Sequence, residues 1–140
     1  MKYDFEKLSR LVSELNRSLS LLKEISNMEL QNFKNDLHII SSAKYNLLVA
    51  IESVIDTCNH LISKNNYRIP EDYADVFRVM AENNIFTEDF TDNLIKMARF
   101  RNRLVHIYWD VDTETIYYIL KNNLKDFDNF LQRLNQFIEL

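Results

Sequence analysis

The chain is predicted to be all-α: one antiparallel bundle of four long helices and one short helix over residues 1–140, with no internal domain boundary. Two observations carry this. The 140 residues include no glycine and a single proline, whereas a β-rich fold needs turn residues to reverse its strands. Apolar side chains also recur every three to four residues through most of the chain, the period of a helix with one buried face.

The first helix is expected from about Asp4 to Ser26. Leu8, Val12, Leu15, Leu19 and Leu22 follow the 4-3 spacing of a helix packed on another helix. The pattern weakens between Asn27 and Asn35, which reads as a bend or short connection. The second helix is the clearest. Ile40, Ala43, Leu47, Ile51, Val54, Ile55, Cys58 and Ile62 fall on one arc at about 100° per residue, and it stops near Lys64-Asn65-Asn66. Asn65 to Glu71 forms the loop, with Pro70 poised at a helix start. A short helix follows over about Asp72 to Asn83 and is broken by Asn83-Asn84. Thr87 is a suitable N-cap for the fourth helix, whose first turn carries Glu88 and Asp89, as the helix macrodipole prefers. That helix runs to about His106. Asp112 can cap the last helix, striped by Ile116, Leu120, Leu124, Phe127, Leu131, Leu134 and Ile138.

The net charge of −4 gives no global polyanion-binding signature. Local charge differs: from Lys96 to His106 there are four Lys or Arg and no acid. A polyanion would have to bind there, or on a surface doubled by a second copy. Cys58 is the sole cysteine, so no intrachain disulfide can form, which fits a reducing cytosol. Lys2, Asp4, Glu6 and Lys7 interrupt any signal-peptide core, and no apolar run reaches the roughly 18 residues of a membrane span. A cytoplasmic protein without membrane contact is the expectation. No set of His, Cys, Asp and Glu has metal-ligand spacing, so neither a metal nor another cofactor is expected.

The segment Arg101-Asn102-Arg103-Leu104-Val105-His106-Ile107-Tyr108 places a phosphate-binding cation, a proton-transfer group and a phenol within about two helical turns. These are the components of metal-free phosphodiester chemistry. On a helical projection Leu94, Met97, Ala98, Leu104 and Val105 lie within about 60° of Arg101, so the Arg sits in the middle of the apolar arc. Stripping water from a guanidinium costs several kcal/mol. Either a carboxylate meets Arg101 inside, or its arc lines a groove where an anion binds. Lys96, Arg99, Asn102, Arg103 and His106 cluster on the other side. His106 is turned about 140° from Arg101 and lies roughly 7 to 8 Å along the axis, so one straight helix does not bring the two together. They converge only if the helix loosens near His106 or if a second copy supplies residues across a shared cleft. This geometry predicts a homodimer.

The Arg-Asn-x-x-x-His-x-Tyr segment resembles the signature of HEPN-domain ribonuclease toxins, most of all the HepT type that is paired with a minimal nucleotidyltransferase antitoxin of the MntA type. Ala50-Ile51-Glu52 and Asn59-His60-Leu61-Ile62 resemble that family's second helix, and Tyr73, Phe77, Met97 and Phe100 sit where the approach to the motif is usually aromatic or apolar. The resemblance covers residues 35 to 125. It implies a HEPN-like bundle and the toxin of a type VII-like toxin–antitoxin pair, acting as a metal-independent endoribonuclease on RNA. It implies that Arg101 binds the scissile phosphate or stabilises its developing charge, and that His106 is the general acid or base for attack by the RNA 2′-hydroxyl. Asn102 matches the polar residue that often follows the Arg. Tyr108 matches the tyrosine that the partner nucleotidyltransferase adenylylates, adding bulk and negative charge beside the phosphate site. Arg99 and Arg103 are supporting cations. The motif shows no departure from the pattern; the overall acidity is a mild one.

Plainer readings stand beside these. His38 and His60 fall on the polar side of the second helix and read as surface histidines. Cys58, central in the apolar arc, reads as a small buried hydrophobe, and Lys44 as a snorkelling stem. Tyr117, Phe127, Phe130 and Phe137 recur at helical spacing and read as core. Tyr108 with Trp109 could stack on a base or form a packed hinge. The alternative to a nuclease is a non-catalytic helical module that docks a nucleotidyltransferase and a nucleotide or phosphate. A purely structural helical dimer is the third possibility.

Overall fold

The computed structural model describes residues 1–138, the side chain of Tyr108 excepted. Every regular element among the described residues is helical: α1 (Phe5–Ser26), α2 (Leu30–Lys34), α3 (Leu37–Lys64), α4 (Tyr73–Glu82), α5 (Glu88–His106), α6 (Thr113–Asn122) and α7 (Lys125–Leu134), with one 3-10 turn at Tyr108–Asp110. The helix starts follow local chemistry. The side chains of Asp4, Asp36, Asp72, Thr87 and Asp112 each accept a hydrogen bond from a backbone N–H in the turn that follows, satisfying donors that a helix N-terminus leaves unpaired.

The ends rely on asparagine. In a chain without glycine, Asn66 and Asn84 take the left-handed conformation, at φ 56° and 62°. Each follows the last residue of a helix terminus and lets the next N–H reach back, Tyr67 to the carbonyl of Ile62 at 3.1 Å and Ile85 to that of Met80 at 3.0 Å. This is the reversal usually given to glycine, and asparagine is the residue that tolerates it next best.

α1 packs along α3. Their relative direction is set by polar clasps: the Lys2 N–H donates to Asn65 Oδ1, the Asn65 side-chain amide returns a bond to the Lys2 carbonyl, and the Asp4 N–H donates to His60 Nε2. The start of α1 therefore lies beside the end of α3, an antiparallel pair. α4 and α5 pack together and on α3, and α6 and α7 cover the remaining side. The seam of α1 (Leu8, Leu15, Leu19, Leu22) and the whole predicted arc of α3 are buried, with Phe33, Phe77, Phe127 and Phe130 filling the core between helices.

Four expectations are corrected. Among the described residues the bundle has seven α-helices rather than four long and one short, because the connection after Asn27 holds the single turn α2, seated by buried Phe33, and because the last helix is cut after Asn122. The seam still faces the core on both sides of the cut: Leu120, Leu124, Phe127 and Leu134 are all buried. Pro70 does not begin a helix; Asp72 caps α4 two residues later. His60 is not a surface residue. It is 6% exposed, because the segment before α1 folds back over it. Trp109 is no packed hinge, being 81% exposed. Cys58 is fully buried as expected, and burial pushes its thiol well above the usual range.

Candidate functional site

α5 delivers the motif. Its inner face buries Leu94, Ile95, Ala98 and Leu104. Arg99, Asn102, Arg103 and His106 are exposed, as is Lys96. Arg101 lies between the two faces. The helix keeps its α-geometry through His106, and Ile107 then donates to the Arg103 carbonyl at 2.9 Å before the chain tightens into the 3-10 turn. The helix does not loosen near His106, so within one copy Arg101 and His106 keep their separation of about 140° around the axis.

The desolvation of Arg101 is answered by Glu52 of α3. Arg101 Nε donates to Glu52 Oε1 at 3.3 Å and Nη2 to the same oxygen at 2.9 Å, while Nη1 donates to Asn102 Oδ1 at 3.2 Å. The guanidinium side chain is 15% exposed and the carboxylate 42%. The acid is therefore at the bundle's edge, not inside it. The guanidinium carbon also lies 4.6 Å from the centroid of the Tyr73 ring, at the first residue of α4, a cation–π arrangement. Three helices thus hold one cation: α5 carries it, α3 pairs it and α4 supports its face. These bonds use three of the five N–H groups of the guanidinium, which leaves two able to donate to an anion.

The electrostatics around Arg101 are not simply positive. Asp56 stands one turn from Glu52 on α3, and its carboxyl is raised by burial and by the neighbouring Glu52, with Arg101 acting in the opposite sense. Arg101 therefore faces acids on its inner side, while the outer side of α5 presents Lys96, Arg99 and Arg103. Beyond the helix end, Asp112 is held low chiefly by its bond from the Thr115 N–H, with a smaller contribution from Arg103. Val105, Ile107 and Trp109 are 40%, 36% and 81% exposed, an apolar strip interleaved with His106. No three or more His, Cys, Asp and Glu among the described residues lie close enough to hold a metal ion.

Of the expected site residues, the structure brings Arg101 and Asn102 together, and sets Arg99, Arg103 and His106 on the open face. The Tyr108 side chain lies outside the described residues. Sequence reading missed the pairing role of Glu52. Its signal was available: Glu52 sits about 100° from Ile51, at the edge of the α3 apolar arc, and Arg101 was an off-pattern cation in need of an acid.

Residues 15–134 match the family described as ribonuclease HepT-like. The mRNA nuclease HepT of Shewanella oneidensis is 33% identical over 99 residues, covering 71% of this chain and 74% of that protein. The tRNA nuclease HepT of Aphanizomenon flos-aquae is 21% identical over 124 residues, covering 89% and 84%. The structure of the tri-AMPylated Shewanella oneidensis HEPN toxin in complex with the MNT antitoxin superposes with a TM-score of 0.84 at 26% identity, covering 92% of this chain and 96% of that one. The family match spans nearly the whole bundle, and the chain belongs to the ribonuclease HepT-like family.

Proposed function

We propose that residues 1–140 act as one HEPN-like domain whose function is metal-independent cleavage of RNA, as the toxin partner of a minimal nucleotidyltransferase. The observation that carries this reading is the cation of Arg101, seated by Glu52 and Tyr73 with N–H groups to spare, on the same helix as the exposed imidazole of His106. The names of the relatives, nucleases of mRNA and tRNA, support RNA as the substrate class.

In this reading His106 takes the proton from a 2′-hydroxyl, the oxygen attacks the adjacent phosphorus, and the bond from phosphorus to the 5′-oxygen breaks. A 2′,3′-cyclic phosphate forms, and the imidazolium returns its proton to the leaving 5′-oxygen. Arg101 donates to the non-bridging oxygens as charge builds on them, and its fixed seat avoids reorganisation at that moment. Arg99 and Arg103 hold the flanking phosphates, and Asn102 keeps the guanidinium oriented. Because one helix turns Arg101 and His106 apart, the working cleft is a two-fold dimer in which each copy completes the other's site. The exposed strip of Val105, Ile107 and Trp109 supports such a contact.

Control falls to Tyr108. A related toxin is described as tri-AMPylated in complex with its antitoxin. By the same chemistry the Tyr108 phenol oxygen would accept an adenylyl group from ATP, with pyrophosphate leaving, and the added phosphate would repel the RNA backbone beside His106.

The test is direct. The purified protein is incubated with RNA in EDTA, the cut ends are analysed, and the Tyr108 peptide is weighed with and without co-expressed nucleotidyltransferase. Cleavage to cyclic-phosphate ends, and a mass increase of one or more AMP units that silences it, are expected. Intact RNA at every protein concentration would contradict the reading and leave a binding module.

A further inference from the structure

A cavity of about 230 Å³ opens between α3, α5, α6 and α7, on a different side of α5 from His106. That is fragment-sized rather than drug-sized. Its walls are two kinds of surface. Met97, Phe100, Ile119 and Phe127 are apolar, two of them flat aromatic rings, while Asn93, Asn123 and Asp126 bring an amide pair and a carboxylate, with Lys96 beside them.

Asp126 is the unusual member. It is 6% exposed and sits in the first turn of α7. Burial pushes its carboxyl upward, and Lys125, the Asn123 amide and Lys96 only partly offset this. Neither lysine is in ion-pair contact with it. A buried carboxylate accepts on two oxygens and donates nothing, so it favours a ligand that offers adjacent N–H donors. The cavity also lies next to the candidate catalytic helix face: Lys96, Met97 and Phe100 precede Arg101 by one to five residues, and Lys96 continues the row of Arg99 and Arg103 along which the RNA backbone would run.

We propose that this cavity receives a base of the RNA substrate, unstacked at a fixed distance along the strand from the scissile phosphate, and that it prefers guanine. The inference rests on the nuclease reading. Single-stranded RNA is read by splaying bases onto aromatic side chains and bonding their edges. Phe100, Phe127 and Met97 supply the apolar faces. Among the four RNA bases guanine alone presents two neighbouring N–H donors, N1–H and the 2-amino group, to a single carboxylate; the Asn93 amide can donate to the acceptors of its remaining edge, O6 and N7, while Asn123 orients Asp126. Lys96 meets the phosphate of the same nucleotide. The site thus selects where the RNA is cut, while Arg101 and His106 do the cutting.

The experiment has two arms. In the first, ¹⁵N-labelled protein is titrated with GMP, AMP, CMP and UMP while the side-chain amide signals of Asn93 and Asn123 are followed. In the second, cleaved RNA ends are sequenced. We expect GMP to move both amides at concentrations about tenfold below those the pyrimidine nucleotides require. Guanosine should be enriched at one fixed position near the cut. Asp126→Asn should lose both effects, and Asn93→Ala, at an exposed position that leaves the fold untouched, should weaken both. Cleavage with no enrichment of any base and no amide shifts would overturn the cavity's assignment and leave the nuclease reading intact. GMP binding without any cleavage would overturn the nuclease reading and, with it, the RNA base as occupant in favour of a free nucleotide.

Discussion

Arg101 and Glu52 meet across the α3–α5 packing, two guanidinium N–H groups converging on one carboxylate oxygen at 2.9 and 3.3 Å. The contact is half-exposed on the acid's side, which decides what its loss does. Exposed ion pairs contribute about 0–1 kcal/mol, so Arg101→Met should change stability by no more than about that, while removing a preorganised donor costs about 10²–10³ in rate. Thermal melts and RNA cleavage assays on the same variant check both halves. Arg101→Lys should likewise keep the fold and should not restore the rate, because an ammonium cannot bond Glu52 and a phosphate in the planar fork that a guanidinium provides. A large loss of stability in Arg101→Met with unchanged cleavage would assign the pair to structure.

His60 gives a pH prediction. Its Nε2 accepts the Asp4 N–H at 2.9 Å, which requires the neutral ring. Burial, then Lys7 and Lys64, push the imidazole below its ordinary value, against a smaller opposing effect of Asp4. The unfolded chain, with a value of about 6.5, therefore binds a proton more readily than the folded one. The contribution of His60 is fully present above about pH 6.5 and is lost as the pH falls below it. Denaturant melts at two pH values should show wild type losing more stability on acidification than His60→Gln, whose side-chain oxygen can still accept the Asp4 bond. Equal losses would remove His60 from the clasp.

A lower window belongs to Asp75. Arg68, followed by the Glu71 N–H, holds its carboxyl down at about 2, with Arg68 also bonded to Glu82. The stabilisation is present above about pH 4 and disappears as the pH falls toward 2. Arg68→Ala should leave the nearly buried carboxylate without its main partner. The melting temperature at neutral pH should fall, and the acid transition between pH 4 and pH 2 should flatten.

The helix ends are testable through Asn84. At φ 62° Asn84→Gly should be neutral or stabilising, and Asn84→Ala destabilising by about 1 kcal/mol, since alanine is strained there and glycine is not. Denaturant midpoints of the two variants should move in opposite directions or, at the least, differ by that amount.

The doubled asparagines also show what the sequence disclosed and what it hid. Asn65-Asn66 and Asn83-Asn84 read correctly as helix stops, and the caps at Thr87 and Asp112 were legible because a side-chain acceptor must precede an apolar stripe. Asn122-Asn123 carries the same signal but was overridden by Leu120, Leu124 and Phe127, whose spacing runs on through the cut. Burial of the seam constrains only which side chains face inward, and two short helices satisfy it as well as one long one. Arg101 announced itself by standing on an apolar arc. His60 did not, because what buries it is the segment before α1, some 56 residues away in the chain, and periodicity carries no long-range contacts.

The proposed cleavage requires Arg101 and His106 to reach one phosphate although their own helix points them apart. Mixing Arg101→Ala with His106→Ala, each inactive alone, tests this most directly. If each copy completes the other's site, heterodimers regain one intact cleft, and refolded mixtures should recover about a quarter of wild-type RNA cleavage, half the dimers carrying one of two sites. Mixtures as inactive as the separate variants would contradict a shared cleft and the phosphate chemistry built on it.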